Sequence, residues 1–131
     1  MNITKVKDEE FLGCLPSKLK KQGYSTYVMH GTDGELYDRK RWYPLVGFEH
    51  VLFKDSFKKS RNCKSFSGKC DYDLLELMSG IFANNEKVFL YWLTLNTHSP
   101  YDDKLFIDGL NCKKYNINTD SETCLNLKQQ R

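Results

Sequence analysis

The chain has 131 residues, 40% of them hydrophobic and 14% aromatic, a composition that excludes a disordered chain and suits one domain or part of one. Its 20 Lys and Arg against 17 Asp and Glu leave a formal charge of +3. That excess is too small and too interspersed for the basic face of a nucleic-acid binder, so no nucleic-acid partner is expected. The longest apolar run, Val88-Phe89-Leu90-Tyr91-Trp92-Leu93, falls far short of the ~20 residues of a membrane-spanning helix.

The amino terminus, Met1 to Glu10, is charged and has neither the apolar stretch nor the cleavage site of a secretion signal. Leu15 to Gln22 reads as a short amphipathic helix, with Pro16 in its first turn and Gly23 as its stop. Tyr24 to Met29 is β-branched and aromatic, and predicts a strand ending at His30. The glycines and aspartate of His30-Gly31-Thr32-Asp33-Gly34 predict a loop. Tyr37 to Leu45 suits a helical turn or two, interrupted by Pro44, and Phe48 to Phe53 predicts a second strand. Lys54 to Lys69 has no period and reads as a loop. Asp71-Tyr72-Asp73 then caps a helix whose apolar positions Leu74, Leu75, Leu77, Met78, Ile81 and Phe82 run at helical spacing to Asn84.

Lys87 to Leu95 is apolar on both faces, as a central strand covered on both sides requires. It leads into Asn96-Thr97-His98-Ser99-Pro100-Tyr101, followed by loop and by a last helix opening near Asp120. Helices alternating with strands predict an α/β fold, part of a mostly parallel central sheet flanked by helices. In such sheets ligands bind beyond the carboxyl ends of the strands. His30 and His98 each stand at that end of a predicted strand, whereas His50 lies inside one and reads as structural or surface.

Six residues separate Cys63 from Cys70 and eleven separate Cys112 from Cys124, and Cys14 stands alone. Neither spacing fits a zinc site. The pairs read as two local disulfides of an oxidising compartment, or else as unrelated thiols of a cytosolic protein. Arg39 can bind a phosphate or sulfate bidentately, or form a salt bridge with Asp38 or Asp33. Arg39-Lys40-Arg41 beside Trp42-Tyr43 is too short to make a nucleic-acid patch.

Taken together, Leu15-Pro16, Leu19-Lys20, Gly23-Tyr24, His30-Gly31, Tyr37-Asp38-Arg39, Trp42-Tyr43-Pro44 and Gly47-Phe48 resemble a sulfatase-type domain. The similarity is to the lipoteichoic acid synthase and phosphoglycerol transferase branch of the alkaline phosphatase superfamily. Tyr91 to Pro100 resembles that branch's strand leading to a substrate-side histidine and proline. Cys63 to Asp71 resembles the cysteine-bridged loop of phosphoethanolamine transferases, which carry a second pair where Cys112 and Cys124 stand. The resemblance covers residues 12–101, leaving 102–131 as a cysteine-bearing loop and a truncated helix.

The resemblance implies an extracytoplasmic, periplasmic-side enzyme that requires a divalent metal (Mn, Mg or Ca) and acts on a lipid-linked or glycan phosphoryl or sulfate ester. By the same resemblance His30, Arg39 and His98 face the anionic group with Tyr37 packing beside it, and His98, the catalytic residue, donates to an oxygen or protonates the leaving group. No residue of the chain matches the family's metal ligands or its nucleophile, and no Asp-His dipeptide occurs. The expectation is an internal fragment, inactive alone, whose parent meets the membrane only through upstream helices. The alternatives are a non-catalytic α/β anion-binding module and a cytosolic interaction protein.

Overall fold

The computed structural model of the chain describes Phe11, residues 13–63, residues 67–95 and His98. Helix α1 spans Leu15–Lys21 with Pro16 in its first turn. Its end is closed as the glycine predicts. Gly23, at φ +81°, donates its N–H to Lys20 O at 3.0 Å, and Tyr24 donates to Leu19 O at 3.1 Å. These two bonds satisfy carbonyls that a helix end otherwise leaves unpaired.

Strand β1 spans Ser25–His30, α2 Arg39–Leu45, β2 His50–Leu52, α3 Asp71–Ala83 and β3 Val88–Leu93. The three strands form one parallel sheet in the order β2-β1-β3. This is the predicted α/β class: a parallel sheet flanked by helices.

The position of β3 corrects the sequence reading. Among the described residues β3 lies at the edge and β1 in the middle. Among the described residues its apolar run meets apolar side chains on both faces, with Tyr91 exposed. Phe89 packs with Val28, Tyr43, Val46 and Phe48 on the α2 face. Leu90 and Trp92 pack with Met29, Phe57 and Leu74 on the α3 face. Val28 and Met29, adjacent in β1 and 1% and 0% exposed, anchor the two layers because successive strand residues point to opposite faces.

Strand β2 is shorter than predicted. Phe48 and Phe53 leave the ladder and become core plugs, Phe53 stacking on Tyr43 with ring centroids 5.9 Å apart. Thr26, fully buried, fixes the approach to β2: its hydroxyl donates to Gly47 O at 2.8 Å and accepts from Glu49 N at 3.1 Å.

Two further boundaries differ from expectation. Pro44 lies inside α2 rather than breaking it, because the helix ends one residue later and little ladder remains to disrupt. The stretch expected as plain loop holds a 3-10 turn at Lys54–Ser56 and an antiparallel bridge between Asn62 and Lys69. Cys63 and Cys70 close that hairpin as a disulfide, with Cα atoms 5.0 Å apart. Cys14 is a free thiol. Cys112 and Cys124 lie outside the described residues.

Candidate functional site at the carboxyl edge of the sheet

His30 is the last residue of β1, and its register partner on β3 is Leu93. Its side chain is 3% exposed, and Nδ1 donates to Leu93 O at 2.8 Å. That bond fixes the tautomer: in the neutral ring Nε2 carries the lone pair. Burial holds the imidazole below its ordinary pKa of 6.5. The Leu93 carbonyl opposes that shift and the Arg39 charge adds to it. His30 is therefore neutral at pH 7 and becomes a donor through Nε2 once an anion raises its proton affinity.

Gly31 follows at a point of backbone contact. A Cβ there would stand 2.9 Å from Lys69 O and 3.1 Å from Leu95 Cδ1. The His-Gly pair thus has a steric cause: any larger residue would push the first strand's loop away from the third strand's.

Arg39 opens α2 immediately after an unusual turn. Tyr37 and Asp38 both adopt left-handed backbone, at φ 57° and 55°, each costing on the order of 1 kcal/mol for a non-glycine residue. Several contacts hold the turn. Trp42 Nε1 donates to Tyr37 O at 3.1 Å, Lys40 N to Gly34 O at 2.9 Å, and Arg41 Nε to Asp38 Oδ2 at 2.7 Å. Asp38 thus pairs with Arg41, not with Arg39 as one sequence reading allowed. Arg39 reaches Leu36 O at 3.4 Å, and its guanidinium carbon lies 4.8 Å from the centre of the Tyr37 ring. It also hydrogen-bonds the Tyr43 hydroxyl, and its charge acts on His30.

Tyr37 is 72% exposed, so its ring is an open flap over Arg39 rather than a packed wall. Tyr43 is the residue sequence reading passed over. It is 2% exposed, and burial raises its phenol above the usual 10, against the pull of the Arg39 charge. The signal was its spacing, four residues after Arg39 on one helix face.

His98 follows β3 on the same sheet edge as His30. It is exposed, and its backbone N–H donates to Leu95 O at 2.9 Å. His50 lies elsewhere: it is exposed on β2 and stacks on Tyr27 with centroids 4.2 Å apart. One cavity lies away from this chemistry: an open trough of about 810 Å³ on the α3 face, lined by Tyr27, Phe57, Lys59, Glu76 and Ile81 among others.

Among the described residues no three His, Cys, Asp or Glu side chains come together as a metal-holding group. No helix among them is long and apolar enough to cross a membrane. What His30 and Arg39 can do is hold an anion and pass a proton: Arg39 neutralises two oxygens, and His30 Nε2 accepts or donates beside them.

The sequence matches no curated protein significantly. Its fold does match solved structures. One is the lipoteichoic acid synthase LtaP from Listeria monocytogenes, with TM-score 0.69 and 21% identity over 87% of this chain and 28% of that one. Another is an alkaline phosphatase superfamily protein from Vibrio parahaemolyticus, with TM-score 0.67 and 20% identity over 95% of this chain and 31% of that one. The chain therefore spans under a third of the length of either relative. The family model described as Sulfatase matches residues 2–123, and with nearly the whole sequence covered, this chain belongs to the sulfatase family.

Proposed function

We propose that the chain supplies the anion-binding half of a sulfatase-family site that acts on phosphoryl or sulfate esters. The transferase branch, moving phosphoglycerol or phosphoethanolamine groups, is favoured. The observation that carries this reading is the buried, tautomer-fixed His30 at the carboxyl end of a central parallel strand, within the electrostatic reach of Arg39. Arg39 binds the ester oxygens with Tyr37 over its guanidinium, His30 senses their charge, and His98 protonates the leaving oxygen. The likeness in fold to a lipoteichoic acid synthase supports a lipid-linked or glycan substrate.

The divalent metal expected for the family, manganese, magnesium or calcium, finds no centre among the described residues. Holding the anion and moving the proton are the tasks that fall to His30, Arg39 and His98. We place the parent enzyme on the extracytoplasmic face of the membrane, a reading supported by the Cys63–Cys70 disulfide. The chain alone should turn over neither aryl phosphate nor aryl sulfate with any of the three metals.

The test is a titration of the isotope-labelled chain with glycerol phosphate, inorganic phosphate and sulfate, followed on the histidine rings. His30 and His98 resonances should move together. Arg39→Ala should weaken binding about ten- to a hundredfold, as expected for loss of a charge-assisted pair. Unmoved histidine signals, or an Arg39→Ala chain that binds as well as the parent, would refute the half-site.

A further inference from the structure

Two strands side by side lead to the two histidines, and a third segment reaches past both, Lys69 touching the residue after His30 and Asp71 the residue Leu95 before His98. Lys69 N donates to Gly31 O at 2.7 Å, directly after His30. Asp71 Oδ2 accepts from Leu95 N at 2.8 Å, across 24 positions and in a buried setting. Leu95, 3% exposed, in turn accepts the His98 N–H. Between these contacts stands Cys70, fully buried and bridged to Cys63.

The rest of the hairpin is equally tied down. Cys63 N donates to Gly68 O at 2.8 Å and Cys70 N to Arg61 O at 3.0 Å. The buried Lys69 sends its ammonium to Ser60 O at 2.9 Å. Arg61 grips Asp73 in the first turn of α3, with Nη2 to Oδ1 at 2.7 Å.

We propose that Asp71 is a positioning residue, held in place by the Cys63–Cys70 bridge, that sets where the His98 turn stands relative to the His30 loop. This rests on the reading of His30, Arg39 and His98 as one site. Reach and dielectric both favour the role. Beyond Leu93 the β1–β3 register pairs end, so the ladder no longer fixes the third strand's loop. A buried carboxylate accepting an N–H just past that point replaces the ladder with a stronger, charge-assisted bond. Asp71 does not itself meet the anion. It acts through Leu95.

The experiment uses the oxidised, isotope-labelled chain and reads amide hydrogen exchange with the Gly31, Leu95 and His98 resonances, first without ligand. Asp71→Ala should speed exchange at Leu95 at least tenfold and displace the Gly31 and His98 signals. Asp71→Asn, which keeps an acceptor oxygen, should restore them. Leu74→Ala is the control for general destabilisation. It should lower the melting temperature and leave the His98 signal in place. A phosphate titration follows, in which Asp71→Ala should bind about tenfold more weakly and Asp71→Asn near the parent level.

Asp71→Ala signals that stay put, or an Asp71→Asn chain that behaves like Asp71→Ala, overturn the proposal. Should Asp71→Ala not fold, Asp71→Glu displaces the acceptor by one methylene, and unmoved Leu95 and His98 signals there overturn it equally. A parent chain that binds no phosphate refutes the half-site reading instead. The positioning role is then still decided by the ligand-free spectra.

Discussion

His30 ends β1 and His98 follows beyond the end of β3, and the two are built in opposite ways. The β1 end is closed. His30 is almost wholly buried, its ring is bonded across to Leu93 O, and Gly31 lies against the backbone of Lys69. The β3 end is open: His98 is exposed, and what fixes its backbone is a turn onto Leu95, itself hung from Asp71. A buried neutral imidazole suits charge sensing, because its proton affinity responds to any anion brought beside it. An exposed imidazole suits exchange of protons with substrate and solvent. The difference teaches that the same residue type, one ending its strand and the other standing beyond its strand's end, is given its surroundings by what lies behind it.

The sharpest way to break this contrast is to cut the brace they share. Replacing Cys63 and Cys70 by Ser opens a loop with a sequence separation of 7 and should lower stability by about 2–3 kcal/mol in urea unfolding. The β3 end should suffer more than the β1 end, seen as faster amide exchange at His98 than at His30. Equal loosening of both ends would remove the distinction.

Gly31→Ala attacks the closed end. With Lys69 O only 2.9 Å from the new methyl group, overpacking should cost about 2 kcal/mol. An alanine variant that unfolds at the same urea concentration as the parent would show that the two loops are not in contact in solution.

A third measurement uses pH. Burial holds the folded His30 below its ordinary pKa of 6.5, so unfolded chains take up the proton first as pH falls below that value. The stability from the buried neutral ring is therefore full above pH 6.5 and declines as pH falls toward the folded-state value. His30→Asn, whose amide can still donate to Leu93 O, should lose this part of the slope.

The smallest effect concerns Tyr37. Glycine relieves the left-handed strain at φ 57° while removing the ring over Arg39, so Tyr37→Gly should change stability by under about 0.5 kcal/mol. Its phosphate affinity should fall a few-fold, the magnitude of one exposed cation–π contact. A large loss of stability would mean that the ring is packed, contrary to its exposure.

Local rules wrote much of this architecture into the sequence. Gly23 stops α1, acidic residues open α3, three β-branched or aromatic runs make strands, and helices between them force parallel pairing, because each rule acts within a few neighbouring residues. The His-Gly step, Arg39 and the near-sequence pair Cys63 and Cys70 were legible for the same reason. The strand order was not. The apolar run of β3 signals two covered faces, and periodicity cannot tell coverage by helices from coverage plus two strand neighbours. Nor could spacing decide between Arg39 and Arg41 as the partner of Asp38. The left-handed turn at Tyr37 and Asp38 made that choice and left Arg39 against the Tyr37 ring and the Tyr43 hydroxyl. The Asp71 to Leu95 bond was likewise invisible, since an aspartate opening a helix has a sufficient local explanation. Its second role exists only because the disulfide hairpin brings that helix start against the end of β3. Contacts spanning tens of residues depend on packing that no local pattern encodes.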